Sequence, residues 1–180
     1  MTEVAKAYGD ALYELSCEEK NTKDILDELL VLKQSFEENP QFLKLLDAPT
    51  LKKQERLDII DNSFSDKVNK NIINFMKLLV ENSYINYFCE CATEFRNRYN
   101  ADNNIIDVIA ITAISMSDEL MDKLKTKLEA VTQKTVILTN RVDKRVIAGV
   151  DLQMEGVQLE NSVKSKIDSI RKTLLNITAY

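Results

Sequence analysis

Apolar positions in the first hundred residues recur at intervals of three and four, the spacing that gathers side chains on one face of an α-helix. Val4, Tyr8, Ala11, Leu12 and Leu15 form the first such stripe, and Ile25, Leu29, Leu32 and Phe36 form the second. Asn21 and Thr22 are both suited to cap the second helix, and Asn39 with Pro40 ends it. Residues 42–46 predict a short helical turn, after which Leu51, Glu55 and Ile59 share a face until a break at 63–66. The segment VNKNIINFMKLLVEN is apolar on more than one side: Ile72, Phe75, Met76 and Leu79 make one stripe, while Ile73, Leu78 and Val80 lie off it. Such a helix is either central in its bundle or keeps a second face for a partner. Tyr84, Phe88, Cys91, Phe95 and Tyr99 mark a sixth helix, ended by the turn formers of NADNN.

Beyond residue 104 the period changes. IIDVIAITA is rich in β-branched residues and apolar on both faces, which predicts a strand covered on both sides. Ser117, followed by Asp118 and Glu119, is a suitable helix cap, and the helix it opens sets Leu120, Leu124, Leu128 and Val131 on one face. TVILTN reads as a second strand, joined through RVDK as a hairpin to VIAGVDLQME. In that third strand Val146, Ala148, Val150, Leu152 and Met154 alternate with Ile147, Gly149, Asp151, Gln153 and Glu155. A last amphipathic helix carries Val163, Ile167, Ile170, Leu174 and Ile177. The expected fold is mainly α, an N-terminal six-helix bundle over residues 1–104 followed by a small C-terminal α/β domain over 105–180.

Charge and chemistry narrow the function classes. With 29 acidic against 24 basic side chains the formal net charge is −5, and no basic footprint for nucleic acid results. No apolar run is long enough to cross a bilayer, and MTEVAKAYGD has neither a basic nor an apolar leader pattern, so an intracellular chain without direct membrane insertion is expected. Histidine is absent, which excludes histidine-containing triads. Cys17, Cys89 and Cys91 fall short of a four-ligand zinc site and read as reduced thiols. Gly9, Gly149 and Gly156 form no phosphate-cradling motif. Asp151 and Glu155 read as the polar side of an edge-like strand, and mid-strand Gly149 as a bulge or a close backbone approach. Neither catalytic residues, nor a cofactor, nor a metal are expected.

Several segments resemble one family along nearly the whole chain. YGDALYEL is similar to the Tyr-Ala-x-Ala-Leu opening of the delta subunit of F-type ATP synthase, whose mitochondrial relative is the oligomycin-sensitivity-conferring protein. NFMKLLVENSYINYF resembles that family's fifth and sixth helices, and IIDVIAITAISMSDEL its strand and Ser-capped helix. VILTNRVDKRVIAGVDLQMEG with ENSVKSKI resembles its hydrophobic strand, paired glycines and Asp-x-Ser-Val helix. Gly9 stands where alanine is usual, Ala148 replaces the first paired glycine, and Glu160 holds the place of an aspartate.

The resemblance implies a non-catalytic stator subunit of a bacterial proton- or sodium-translocating ATP synthase. It would be present in one copy and peripheral to the cytoplasmic face of the cell membrane. It implies a groove for the N-terminal helix of an alpha subunit, formed here by Ala7, Tyr8, Ala11, Leu12, Phe75, Leu78 and Leu79. It also implies a contact with the b subunits of the peripheral stalk through Ile170, Leu174 and Leu175. A free-standing helical adaptor is the competing reading, and a generic bundle of that kind lacks the C-terminal α/β module.

Overall fold

The computed structural model describes residues 2–65, 67–146 and 150–155, and the chain divides into two compact units, Met1–Tyr99 and Asn100–Tyr180. Among the described residues the first unit contains helices only. α1 (Glu3–Glu18) starts at Thr2, whose hydroxyl accepts the Ala5 amide hydrogen at 3.3 Å. It ends through Lys20, which holds a left-handed φ of 58°. α2 (Thr22–Glu38) buries Ile25, Leu26, Leu29, Leu32 and Phe36. Asn21 occupies its N-cap position without a side-chain bond. α3 (Pro40–Leu46) has proline in its first turn, where a missing amide hydrogen costs no helical bond. α4 (Lys53–Phe64) is fixed at its start by the Glu55 carboxylate, which accepts the Lys52 amide hydrogen at 2.9 Å.

α5 (Lys70–Glu81) is capped by Asn69, whose side chain accepts from the Asn71 amide at 2.9 Å. It buries six apolar side chains, more than one stripe holds. A turn of 3-10 helix (Ile85–Tyr87) leads into α6 (Phe88–Asp102). The core is tied together by aromatic rings: Phe36 meets Phe88 at 5.0 Å and stacks on Phe42 at 5.5 Å, and Tyr13 meets Phe95 edge-on at 5.4 Å.

Three local expectations change here. The buried residue of α4 is Ile60 rather than Ile59, and Leu51 precedes the helix. The sixth helix begins at Phe88, because Ser83 takes a left-handed φ of 60° and the chain then makes its 3-10 turn past Tyr84. NADNN does stop that helix, but from inside: helical geometry continues to Asp102, and Asn104 turns the chain with a φ of 54°.

In the second unit, β1 (Ile105–Thr112) is followed by α7 (Asp118–Thr132), β2 (Thr135–Val142) and β3 (Val150–Glu155). The sheet order is β2-β1-β3, with β1 parallel to β2 and antiparallel to β3. The expected hairpin between the second and third strands is therefore absent: both pair with β1, on opposite sides. Burial supplies the reason. β1 hides side chains of both faces and takes the centre, while β2 and β3 carry polar residues that suit edges. The chain leaves β2 beside Thr112 and enters β3 with Val150, also opposite Thr112. Asp143 holds this turn, its amide donating to the Thr112 carbonyl at 2.8 Å and its carboxylate gripping Arg145 at 2.8 Å. That guanidinium holds the Asp143 carboxyl down at about 2.

Ile106, Val108 and Ala110 of β1 pack with Leu124 and Leu128 of α7, Val136 of β2 and Leu152 of β3. The buried stripe of α7 is Leu124, Leu128 and Thr132; Leu120 is exposed and Val131 half-buried. Ser117 is its N-cap residue, though its hydroxyl makes no capping bond. Asn140 secures the approach to α7, donating to the Ala110 carbonyl at 2.9 Å and the Thr112 hydroxyl at 2.8 Å while accepting from the Met116 amide at 2.9 Å. Ile147, Ala148, Gly149, Glu160 and the final helix expected over Val163 to Ile177 lie outside the described residues.

Candidate docking groove

The cores above leave one strip of α1 only partly covered. Ala5, Gly9, Leu12, Tyr13 and Ser16 face inward, whereas Tyr8, Ala11 and Leu15 lie one step around the helix. α5 runs antiparallel beside that strip. At one end the Asn71 side-chain nitrogen donates to the Glu19 carboxylate at 2.5 Å, and at the other Tyr8 meets Tyr84, just past α5, with ring centroids 5.8 Å apart.

Between the two helices runs an apolar groove of about 210 Å³. Its α1 wall is Tyr8, Ala11, Leu12 and Leu15, and its α5 wall is Asn71, Asn74, Phe75 and Leu78. Leu15 is 40% exposed and Leu78 45% exposed, a pair of leucines left in water on facing helices. Phe75 is only 6% exposed and touches Phe88, so it forms the floor as well as part of the core. Burying a leucine from full exposure is worth about 1.5–3 kcal/mol, so a helix that covers these two, each less than half exposed, gains somewhat under half of that from each.

Five of the seven residues expected at an alpha-subunit groove, Tyr8, Ala11, Leu12, Phe75 and Leu78, line this one. The other two do not. Ala7 is exposed beside it, and Leu79 is completely buried in the core. Leu15, Asn71 and Asn74 belong to the lining as well. Leu15 is detectable in the sequence as the residue four beyond Ala11 on the same stripe; the two asparagines give no apolar signal. Ile170, Leu174 and Leu175 lie outside the described residues.

A larger concavity of about 660 Å³ borders α2, α3 and α4 and is lined in part by Phe36, Phe42, Leu45 and Phe64. Its three phenylalanines are already engaged with one another, edge-on or stacked, at 5.5 to 6.2 Å. Leu45 on its rim is 44% exposed, whereas the α1/α5 groove has two such leucines, one on each wall.

Among the described residues no group of three His, Cys, Asp or Glu side chains is placed to hold a metal ion. Cys17 is exposed, Cys89 half-buried and Cys91 buried. Burial pushes the Cys89 thiol up, and burial with the nearby Glu90 charge takes Cys91 up to about 12, so Cys91 is neither a ready ligand nor a nucleophile. Asp151 is half-buried on β3. No helix among the described residues is long and apolar enough to cross a membrane.

Comparison with known proteins gives a consistent result. The ATP synthase subunit delta of Clostridioides difficile strain 630 is 32% identical over 176 residues, covering 97% of each chain. That of Leuconostoc citreum strain KM20 is also 32% identical with the same coverage. The Ilyobacter tartaricus protein, named as sodium ion specific, is 29% identical over 170 residues, covering 94% of this chain and 97% of its own. Among solved structures, a chain of the Toxoplasma gondii mitochondrial ATP synthase hexamer has the same fold, with a TM-score of 0.69 at 17% identity over 97% of this chain and 98% of its own. The ATP synthase delta (OSCP) subunit family matches residues 4–174, and the chain belongs to that family.

Proposed function

We propose that this protein is the stator subunit that links the catalytic head of an F-type ATP synthase to its peripheral stalk and resists the torque of the rotor. The observation that carries this reading is the α1/α5 groove with its exposed Leu15 and Leu78, in a chain that matches the delta family over nearly its whole length. An amphipathic helix laid in such a groove gains affinity from buried apolar area. In this reading the N-terminal bundle of six helices receives the N-terminal helix of an alpha subunit through Tyr8, Ala11, Leu12, Leu15, Phe75 and Leu78. The C-terminal domain holds the b subunits through Ile170, Leu174 and Leu175. Two attachments on one chain raise the effective concentration of each, so a modest groove suffices for a durable link.

The subunit performs no catalysis, carries no cofactor and occurs once per complex. It sits peripherally at the cytoplasmic face of the membrane, without inserting, and serves a complex that moves protons or sodium ions. Native mass spectrometry of the tagged chain purified with its membranes tests the reading: a complex with alpha and b subunits at one copy of this chain is expected. Recovery of the chain with neither would sink it.

A further inference from the structure

The lips of the α1/α5 groove carry opposite charge. On α1, Glu14 stands three residues beyond Ala11 and Glu18 three beyond Leu15, so both project on the side of the groove strip away from the core. On α5, Lys70, its first residue, lies one turn before Asn74, and Lys67 stands three residues ahead of it in the turn that leads into the helix. All four are exposed. Because the helices are antiparallel and Glu19 bonds Asn71 at this end, the acidic lip faces the basic lip across the same stretch of groove. The opposite end lacks that contrast. Glu3 and Ala7 stand on the α1 side there, and Glu81 on the α5 side, taken up by Lys53 at 3.1 Å, is acidic as well. Lys77 is likewise occupied by Asp61 at 2.6 Å, whereas Glu14, Glu18 and Lys70 form an ion pair with none of the described residues.

We propose that these lips select an amphipathic helix bearing cations on the flank toward α1 and anions on the flank toward α5 at this end, and so fix the direction in which the helix lies. The inference rests on the groove being a helix receptor, as proposed above. Turning the helix end for end, apolar face still down, moves its charged turns away from the lips. Exchanging its flanks sets like charges together. A matched pair at an exposed rim contributes little alone, but specificity is the difference between matched and mismatched arrangements summed over both lips.

The test uses the full-length chain and three synthetic helical peptides with one apolar stripe fitted to the groove. Charges are confined to the turns at the Glu18–Lys70 end. The first peptide has lysines toward α1 and glutamates toward α5, the second has them exchanged, and the third has glutamine throughout. Calorimetry at low salt is expected to rank them first, third, second, with about tenfold between the extremes, narrowing at high salt. On the chain carrying E14K, E18K and K70E together the order should invert. Equal affinity for all three overturns the lip proposal while leaving the groove reading standing. Binding of none, by a chain whose circular dichroism is intact, overturns both.

Discussion

Gly9 of α1 lies so close to Glu94 of α6 that a Cβ built on it would stand 2.8 Å from the Glu94 Cβ and 2.9 Å from the Cys91 carbonyl oxygen. Gly9 is buried in the helix contact, and the second of those neighbours is backbone that cannot swing aside. Glycine inside a helix ordinarily costs about 0.5–1 kcal/mol relative to alanine. Here it permits the two helices to approach.

Gly9→Ala should therefore destabilise the protein, even though it improves helix propensity. Overpacking of this kind costs about 1–3 kcal/mol, more than the propensity gain returns. Urea unfolding is the measurement, and a variant as stable as the parent or more so would show that α1 and α6 separate without strain.

Phe75 and Leu78 are neighbours on the α5 wall with different duties. Leu78→Asp changes a side chain 45% exposed, so stability should stay within about 0.5 kcal/mol of the parent while binding of an alpha-subunit N-terminal peptide is lost. Phe75→Ala removes a ring that is 6% exposed and in contact with Phe88, and should cost about 3–5 kcal/mol of stability. Peptide titration paired with denaturation separates the two: unchanged binding by the folded Leu78 variant would remove the groove from the mechanism.

The raised Cys91 thiol makes an alkaline prediction. Its folded pKa, about 12, lies above that of an unfolded thiol, about 8.5, so the neutral form is favoured by folding. The associated stability is present in full below about pH 8.5 and is lost progressively as pH rises toward 12, because the unfolded chain has released a proton that the folded chain keeps. Cys91→Ala should flatten that part of the stability profile. In neutral solution a thiol reagent is expected to modify exposed Cys17 first and Cys91 only on unfolding. Modification of Cys91 at the rate of Cys17 would contradict its burial.

Much of the helical half is legible in the sequence because its elements announce themselves one at a time. A stripe such as Ile25, Leu29, Leu32 and Phe36 fixes both the helix and its buried face, and all four are buried. What local pattern withholds is partnership. RVDK between two strands looks like a hairpin, yet the pairing is decided by competition for the centre of the sheet, which β1 wins by being apolar on both faces. Leu79 shows the same limit at the groove. It sits four residues beyond Phe75 on an apolar helix, and only the packing around it makes it core rather than wall. Asn71 and Asn74 line the groove by position alone, with no hydrophobic signature to find.

Asn100 supplies the last prediction. Its side-chain nitrogen donates to the Asp107 carboxylate at 2.6 Å, joining the final turn of α6 to β1, and both residues are buried. Asn100→Ala takes that donor from a carboxylate with little access to water, at a cost of about 1–3 kcal/mol. The loss should be read locally, as faster amide exchange along β1. Asn100→Asp is the sharper variant, since it places two carboxylates where one donated and the other accepted. At neutral pH it should destabilise more than alanine does, because like charges meet in a poorly solvated place. Acidification should then recover stability, as protonation of one carboxyl restores a hydrogen bond to the other. An aspartate variant no worse than alanine at neutral pH, and indifferent to acid, would mean that the contact opens to water and does not hold the two elements together.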